Sequence, residues 1–183
     1  YTQLDVEDYV KRDDDVSFDK SKFFNDPSGH SSNFMRYAEV ADVYVACHYW
    51  DNRSPFIFTR EDVKSPNWNI SLVADVSCDI DGPVASTLRP STIENPFYGY
   101  NPTLEKEVDF NNENAVGVMA VDNLPCELPK DASEEFGKMF INHVLEPLTG
   151  IDPEDIIFRA SETINGKLTP HFKHLQDYLE GKD

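Results

Sequence analysis

Three apolar runs of the chain each end in polar side chains that could do chemistry. These are Cys47, His48 and Tyr49 after the first run, Asp79 and Asp81 after the second, and Asp122 and Asn123 after the third. A carboxylate can bind a cationic substrate group, and paired carboxylates can bind a hard metal ion. If the runs are neighbouring parallel strands, their carboxyl ends meet at one edge of a sheet, where open α/β sheets bind ligands. The pattern therefore predicts one polar site assembled from distant parts of the sequence.

Each polar cluster also has a structural explanation that the sequence leaves open. His48 could be a hydrogen-bonded core histidine. Asp79 and Asp81 could cap a turn before Pro83, and Asp122 could form an Asx-turn. A metal site at Asp79 and Asp81 lacks further ligands at regular spacing, so no metal ion is predicted.

Three β-branched or aromatic runs must position these residues, and they cover residues 42–50, 69–77 and 115–121. They are apolar nearly throughout rather than alternating, which is typical of parallel strands covered on both faces. Residues 83–114 predict a long ordered loop with a short extended piece near residues 97–100. The C-terminal third predicts helices that begin near Asp131, Pro153 and Pro170.

The eight glycines are scattered singly, and neither GxGxxG nor GxxxxGK[ST] occurs. The sequence therefore holds no phosphate-binding loop of either kind. Together with the three parallel strands, this predicts an α/β fold in which residues 1–150 form the second half of a Rossmann-like parallel sheet. Residues 151–183 are expected to form C-terminal helices.

Charge and cysteine content narrow the class of partner. The formal net charge of −18 over 183 residues opposes binding to nucleic acid and to anionic membranes. Three cysteines without CxxC spacing favour free thiols and a reducing compartment, so a cytoplasmic protein is expected. The chain opens on Tyr1 rather than Met, and we expect it to be a piece of a longer protein.

The segments VADVSCDIDGP, LRPSTIENPFYGY and VMAVDNLPCELPKDASEEFG resemble, in that order, the cofactor-domain half of the alanine dehydrogenase and pyridine nucleotide transhydrogenase superfamily. The resemblance is closest to its saccharopine dehydrogenase and lysine–2-oxoglutarate reductase branch, and residues 122–133 are the most discriminating. The resemblance implies an oxidoreductase that uses NAD or NADP and acts on an amino acid and a 2-oxo acid. The implied reaction is hydride transfer coupled to imine formation or hydrolysis. The resemblance also implies that the C-terminal helices of residues 151–183 pack on a substrate domain outside this sequence.

Carried over position by position, the resemblance makes Asp79 the candidate catalytic residue, beside the nicotinamide and the substrate. The candidate cofactor-binding residues are Cys47, His48, Tyr49, Val76, Val121, Asn123 and Leu124. Arg89 matches a recurrent arginine of the family without an assigned role. The family's glycine-rich loop and its lysine and histidine acid–base pair have no counterpart in this sequence. We therefore expect the activity in the parent protein and an inactive isolated chain.

Two other functions stay open at this point. One is an alanine dehydrogenase-like activity, and the other is a non-catalytic acidic binding or regulatory module with the same fold. Half of a sheet leaves one edge unpaired, and an unpaired edge can pair with a second copy, so a homodimer is also an expectation.

Overall fold

The computed structural model describes residues 1–14 and 16–182, and the chain forms two compact units, Tyr1–Glu127 and Leu128–Asp183. The first unit contains the polar strand ends and the second contains most of the C-terminal helices. The sequence predicts a different division, into a cofactor domain of residues 1–150 and C-terminal helices of residues 151–183. That division concerns the parent protein, and it stays a prediction. Within the described residues, no helix combines the length and apolar character that crossing a membrane requires.

The first unit begins with short helices and one small sheet. Its α-helices are α1 (Val6–Tyr9), α2 (Lys20–Asn25), α3 (Met35–Ala38) and α4 (Arg60–Val63). The small sheet consists of two antiparallel strands, β1 (Val10–Arg12) and β2 (His30–Ser32). A reciprocal capping box of Thr59 and Asp62 starts α4. Val6, Val10 and Phe23 form a small separate core.

A five-stranded sheet forms the centre of the first unit. Its strands are β3 (Val43–Ala46), β4 (Leu72–Asp75), β5 (Phe97–Asn101), β6 (Lys106–Val108) and β7 (Val116–Met119), in the spatial order β3-β4-β7-β5-β6. The three predicted strands are parallel neighbours, while β5 pairs antiparallel with both β7 and β6. The α/β class is confirmed and is consistent with a partial Rossmann-like fold. The extended piece predicted near residues 97–100 is β5, whereas the sequence predicts neither β6 nor the pairing of the two strands in a hairpin.

The two faces of this sheet differ in burial. One face carries the main core, with Ala46, Val73, Val118, Tyr98 and Tyr100 buried. On β3 the alternate residues Val43 and Val45 are 51% and 55% exposed. The expectation that every strand is covered on both faces is therefore wrong for β3, because this edge strand has apolar side chains without packing partners on its second face.

A phenylalanine occupies space left by glycine on the central strands. Gly99 of β5 and Gly117 of β7 lie side by side in register. A Cβ atom on Gly117 would lie 2.7 Å from Cε2 of Phe110, and one on Gly99 would lie 2.6 Å from the Asp109 carbonyl oxygen. The Phe110 ring also lies 5.2 Å from that of Phe97. The loop after β6 is therefore closed down onto the sheet.

The second unit consists of short helices and one hairpin. Its elements are α5 (Pro129–His143), α6 (Leu145–Thr149), α7 (Ile156–Ala160), β8 (Thr163–Ile164), β9 (Lys167–Leu168), a 3-10 helix (Pro170–Leu175) and α8 (Gln176–Leu179). Helix α5 begins at Pro129 rather than near Asp131, because proline suits the first helical position. Thr169 is the single buried residue among those described in this unit.

Candidate active site

One hydroxyl joins the carboxyl ends of β3 and β4. The Ser77 Oγ accepts a hydrogen bond from the His48 backbone N–H at 3.2 Å and donates to the His48 carbonyl oxygen at 2.8 Å. The Val76 N–H continues the pairing by donating to the Ala46 carbonyl at 2.9 Å. The polar residues after these two strands are therefore brought to one edge of the sheet, as their order in the sequence predicts.

A buried carboxylate ends β4. Asp75 is 0% exposed, and its Oδ1 accepts the Cys78 backbone N–H at 3.0 Å. Its Oδ2 accepts the Thr87 hydroxyl at 2.6 Å. The sequence reasoning missed Asp75, although a charged residue that closes an apolar run is a signal that could have found it.

Asp79 lies in a tight loop over residues 78–82. Cys78 and Asp81 both adopt the left-handed backbone region, with φ of 54° and 53°. The Asp79 carbonyl accepts the Gly82 N–H at 3.1 Å, and a Cβ atom on Gly82 would lie 2.7 Å from both the Cβ and the carbonyl oxygen of Asp79. Only glycine fits this close approach. The turn that Gly82 closes therefore fixes the position of the Asp79 backbone after β4.

The third strand end is linked to the same loop. The Cys78 thiol donates to the Ala120 carbonyl at 3.3 Å, just beyond β7. The Ser91 N–H donates to the same carbonyl at 2.8 Å, and the Ala120 N–H donates to Ser91 Oγ at 3.0 Å. The segment that carries Asp122 is thereby held beside the end of β4.

Negative charge dominates this edge of the sheet. Burial raises the pKa of the Cys78 thiol, and the carboxylates of Asp75, Asp122 and Asp79 raise it further. Burial lowers the pKa of His48, while the charges of Asp75 and Asp79 oppose that shift. Carboxylates that follow β4 and β7 therefore act on the same neighbourhood, which favours a cationic ligand.

The ring of His48 packs towards the N-terminal helices. Its centroid lies 6.5 Å from that of Tyr9, and it helps to line a cavity of about 30 Å³ with Val6, Trp50 and Ile57. The Nε2 atom is buried and has no hydrogen-bond partner among the described residues. The ring is therefore packed against the N-terminal helices, but its Nε2, unpartnered in the described part of the chain, does not fit the hydrogen-bonded core histidine that the sequence left open. Contact between His48 and a cofactor stays a prediction.

The other predicted site residues differ in exposure. Asp79 is half-buried and Val76 is exposed, and both lie at the end of β4. Cys47, Tyr49 and Asn123 are exposed, and Leu124 begins a 3-10 helix, Leu124–Glu127. Val121 is 3% exposed, so only its backbone could reach a ligand. Arg89 receives a structural role, because it pairs with Glu107 through two hydrogen bonds of 2.8 Å.

These residues fit the nicotinamide half of a dinucleotide better than they fit a metal ion. The exposed Val76 can pack against the face of the nicotinamide ring, while the half-buried Asp79 supplies a negative charge three residues further along the chain. Asp81 instead pairs with Arg60, at 3.5 Å. Within the part of the chain that the structure describes, no three His, Cys, Asp or Glu side chains are grouped as metal ligands.

Comparisons with known proteins agree with the motifs. No family profile matches the chain. The alpha-aminoadipic semialdehyde synthase of Arabidopsis thaliana is 29% identical over 171 residues, which cover 90% of this chain and 16% of that protein. The mitochondrial alpha-aminoadipic semialdehyde synthase of Mus musculus is 27% identical over 211 residues, covering 100% of this chain and 22% of that protein.

A shorter relative matches the same region. The saccharopine dehydrogenase [NAD(+), L-lysine-forming] of Schizosaccharomyces pombe is 30% identical over 129 residues, which cover 67% of this chain and 32% of that protein. The chain spans only 16% to 32% of the length of these three relatives. By motif and by overall similarity, its relatives lie in the saccharopine dehydrogenase and lysine–2-oxoglutarate reductase branch.

Proposed function

We propose that the chain is part of the cofactor domain of an NAD(P)-dependent oxidoreductase that forms or cleaves saccharopine. The observation that carries the proposal is Asp79, which is half-buried and follows Val76 by three residues, where the ends of two parallel strands are joined. The mouse alpha-aminoadipic semialdehyde synthase is similar to this chain over all of the chain's residues, which supports saccharopine as the substrate or product.

When bound, the oxidised cofactor would accept a hydride and the reduced cofactor would donate one, and the residues proposed to hold its nicotinamide end are those at this edge of the sheet. The side chain of Asp79 orients the substrate ammonium group and stabilises the cationic iminium that forms as the C–N bond changes order. Asp75 and Asp122 add negative charge nearby, which is consistent with their effect on the pKa of Cys78. Val76 provides an apolar wall that excludes water from the reacting carbon.

The isolated chain is proposed to be inactive, with only weak affinity for the cofactor. Its sequence has no glycine-rich loop to hold the phosphates, and such loops supply much of dinucleotide binding. The choice between NAD and NADP also depends on residues of the parent protein. The fungal relative carries NAD(+) in its name, which favours NAD as the first cofactor to try.

The test is an assay of the parent protein. NADH or NADPH is mixed with lysine and 2-oxoglutarate, and saccharopine with NAD⁺ or NADP⁺ is used for the reverse direction. Oxidation or formation of the reduced cofactor, followed by its absorbance, supports the proposal. Turnover only with pyruvate and ammonia would replace it by an alanine dehydrogenase-like activity. No turnover with any amine and oxo acid pair would leave a non-catalytic module.

The proposed location is a reducing compartment, because the three cysteines are free thiols. The mouse relative is named as mitochondrial, whereas the sequence favours the cytoplasm for this chain. Fractionation of cells that express the tagged parent protein decides between the two.

A further inference from the structure

Asp75 makes contacts that differ from those of an ordinary core residue. It is fully buried at the end of β4, and no basic side chain is among its hydrogen-bond partners in the described residues. Burying an unpaired carboxylate is costly, and an apolar residue of similar size often gives a more stable core. This cost is offset by the two hydrogen bonds that the carboxylate oxygen atoms of Asp75 accept, because these bonds hold neighbouring segments in place.

The first oxygen holds the residue that precedes Asp79. Cys78 has a left-handed backbone, which a non-glycine residue adopts only when its surroundings enforce it. Its N–H donates to Asp75 Oδ1 at 3.0 Å. On the other side of Asp79, the Gly82 N–H closes the turn on the Asp79 carbonyl. Asp79 is therefore fixed by one hydrogen bond before it and one after it.

The second oxygen connects this loop to the body of the first unit. Thr87 is 1% exposed, and its hydroxyl donates to Asp75 Oδ2 at 2.6 Å. The segment before Thr87 is anchored in turn, because the Pro83 carbonyl accepts the backbone N–H groups of Ile57 and Phe58 at 2.9 Å and 3.2 Å. Thr87 thus fixes the orientation of the carboxylate that holds Cys78.

We infer that Asp75 is a positioning residue, which with Thr87 holds the loop of residues 78–82 so that the Asp79 side chain points to the substrate. The inference rests on the proposed function for its consequence in catalysis, but not for the loop geometry itself. It predicts that the hydrogen bonds of Asp75 matter more than its charge.

The loop geometry can be tested in this chain through the reactivity of Cys78. In a background with Cys47→Ser and Cys126→Ser, Thr87→Val should speed alkylation of Cys78 by about tenfold, because one buried hydrogen bond that holds the loop is lost. Thr87→Ser should restore the slow rate. Thr169→Val, the same change at another buried threonine of the chain, should leave the rate unchanged.

Substitutions of Asp75 separate geometry from charge. Asp75→Asn can still accept the Cys78 N–H and can donate to the Thr87 oxygen, so its alkylation rate per Cys78 thiolate, taken from the pH dependence of the rate, should be nearly as slow as with Asp75 unchanged. Asp75→Ala should alkylate fast. If Asp75→Ala destabilises the whole unit, the Thr87 pair still decides the question. Equal rates for Thr87→Val and Thr87→Ser would overturn the inference, and so would an Asp75→Asn variant with a fast rate per Cys78 thiolate.

The consequence for catalysis is measured in the parent protein. Thr87→Val should lower kcat by about tenfold with little change in the KM for the cofactor, since a misplaced group weakens the transition state more than ground-state binding. Thr87→Ser should recover kcat. A parent that turns over equally well with Thr87→Val overturns the positioning role. A parent without any turnover overturns the proposed function, while the alkylation rates still test the loop anchor.

Discussion

Arg89 binds Glu107 through two hydrogen bonds of 2.8 Å, and its guanidinium lies 4.7 Å from the centre of the Tyr98 ring. Arg89 stands in the LRPST segment and Glu107 in β6, so the pair fastens the loop before the hairpin to the hairpin itself. The structure therefore gives a structural role to an arginine for which the resemblance gave none.

We expect Arg89→Ala to lower the free energy of unfolding by about 1 kcal/mol, from the lost ion pair and the lost contact with the ring. Urea denaturation followed by tryptophan fluorescence reports on the first unit, because both tryptophans, Trp50 and Trp68, lie there. Arg53→Ala is the control, since Arg53 pairs with Asp51 only two residues away. If Arg53→Ala lowers the free energy of unfolding by the same amount, the pair of Arg89 with Glu107 stabilises the first unit no more than a local ion pair does.

The close approach at Gly82 predicts that replacing this glycine by alanine destabilises the chain, whereas the same change at an uncrowded glycine does not. Gly82→Ala places a methyl group 2.7 Å from the Asp79 backbone and should cost roughly 1–3 kcal/mol of stability, as for other overpacked sites. Gly137→Ala is the matched control, because nothing lies within 4 Å of its added Cβ atom in α5. That change should be neutral or stabilise the helix by up to ~1 kcal/mol. The free energies of unfolding from urea or thermal melts check both values.

The lowered pKa of His48 makes the stability of the first unit depend on pH. The ordinary pKa of histidine is about 6.5, so below that pH the unfolded chain binds a proton that the folded chain accepts only at lower pH. This contribution to stability is complete above about pH 6.5 and is lost as the pH falls through the folded pKa of His48.

His48→Gln should therefore flatten the fall in unfolding free energy on the acid side of neutrality. Urea melts at a series of pH values measure the slope. His143→Gln, at an exposed position near the end of α5, should leave the slope as it is. If both variants show the unchanged slope, burial of His48 is not what makes stability depend on pH.

The two aspartates of the strand-end loop should differ in catalysis. Asp79→Asn in the parent protein should lower kcat by about a hundredfold, the size of effect that follows removal of one electrostatic contact to the transition state. Asp81→Asn should change kcat by less than about threefold, because its exposed side chain pairs only with Arg60 among the described residues. Steady-state kinetics with lysine, 2-oxoglutarate and the reduced cofactor compare the two. A larger effect at Asp81 would move the catalytic assignment.

The sequence predicts the three parallel strands well, because their apolar composition is local information. It predicts an extended piece near residues 97–100, which is β5, but it does not predict the pairing of that piece in the hairpin β5–β6, since the surrounding stretch contains prolines. Those prolines favour a loop, and only pairing with β7 makes the segment a strand.

The candidate site shows the same division between local and tertiary information. Asp79 is visible in the sequence because it follows an apolar run and belongs to a familiar motif. Asp75 also closes that apolar run, but its role is not visible in the sequence, because its hydrogen-bond partner is a hydroxyl twelve residues further along the chain. The direction of the His48 ring likewise depends on Tyr9, which belongs to a different element.

The Phe110 ring fills the space that Gly117 leaves empty, and the adjoining backbone approaches Gly99. These three positions are therefore constrained jointly rather than one by one. A larger residue at 117 requires a smaller one at 110, and a change at 99 requires a new path for the loop. We expect the three positions to co-vary in an alignment of relatives, and a segment transplanted from one relative to another to keep its shape only when all three travel together.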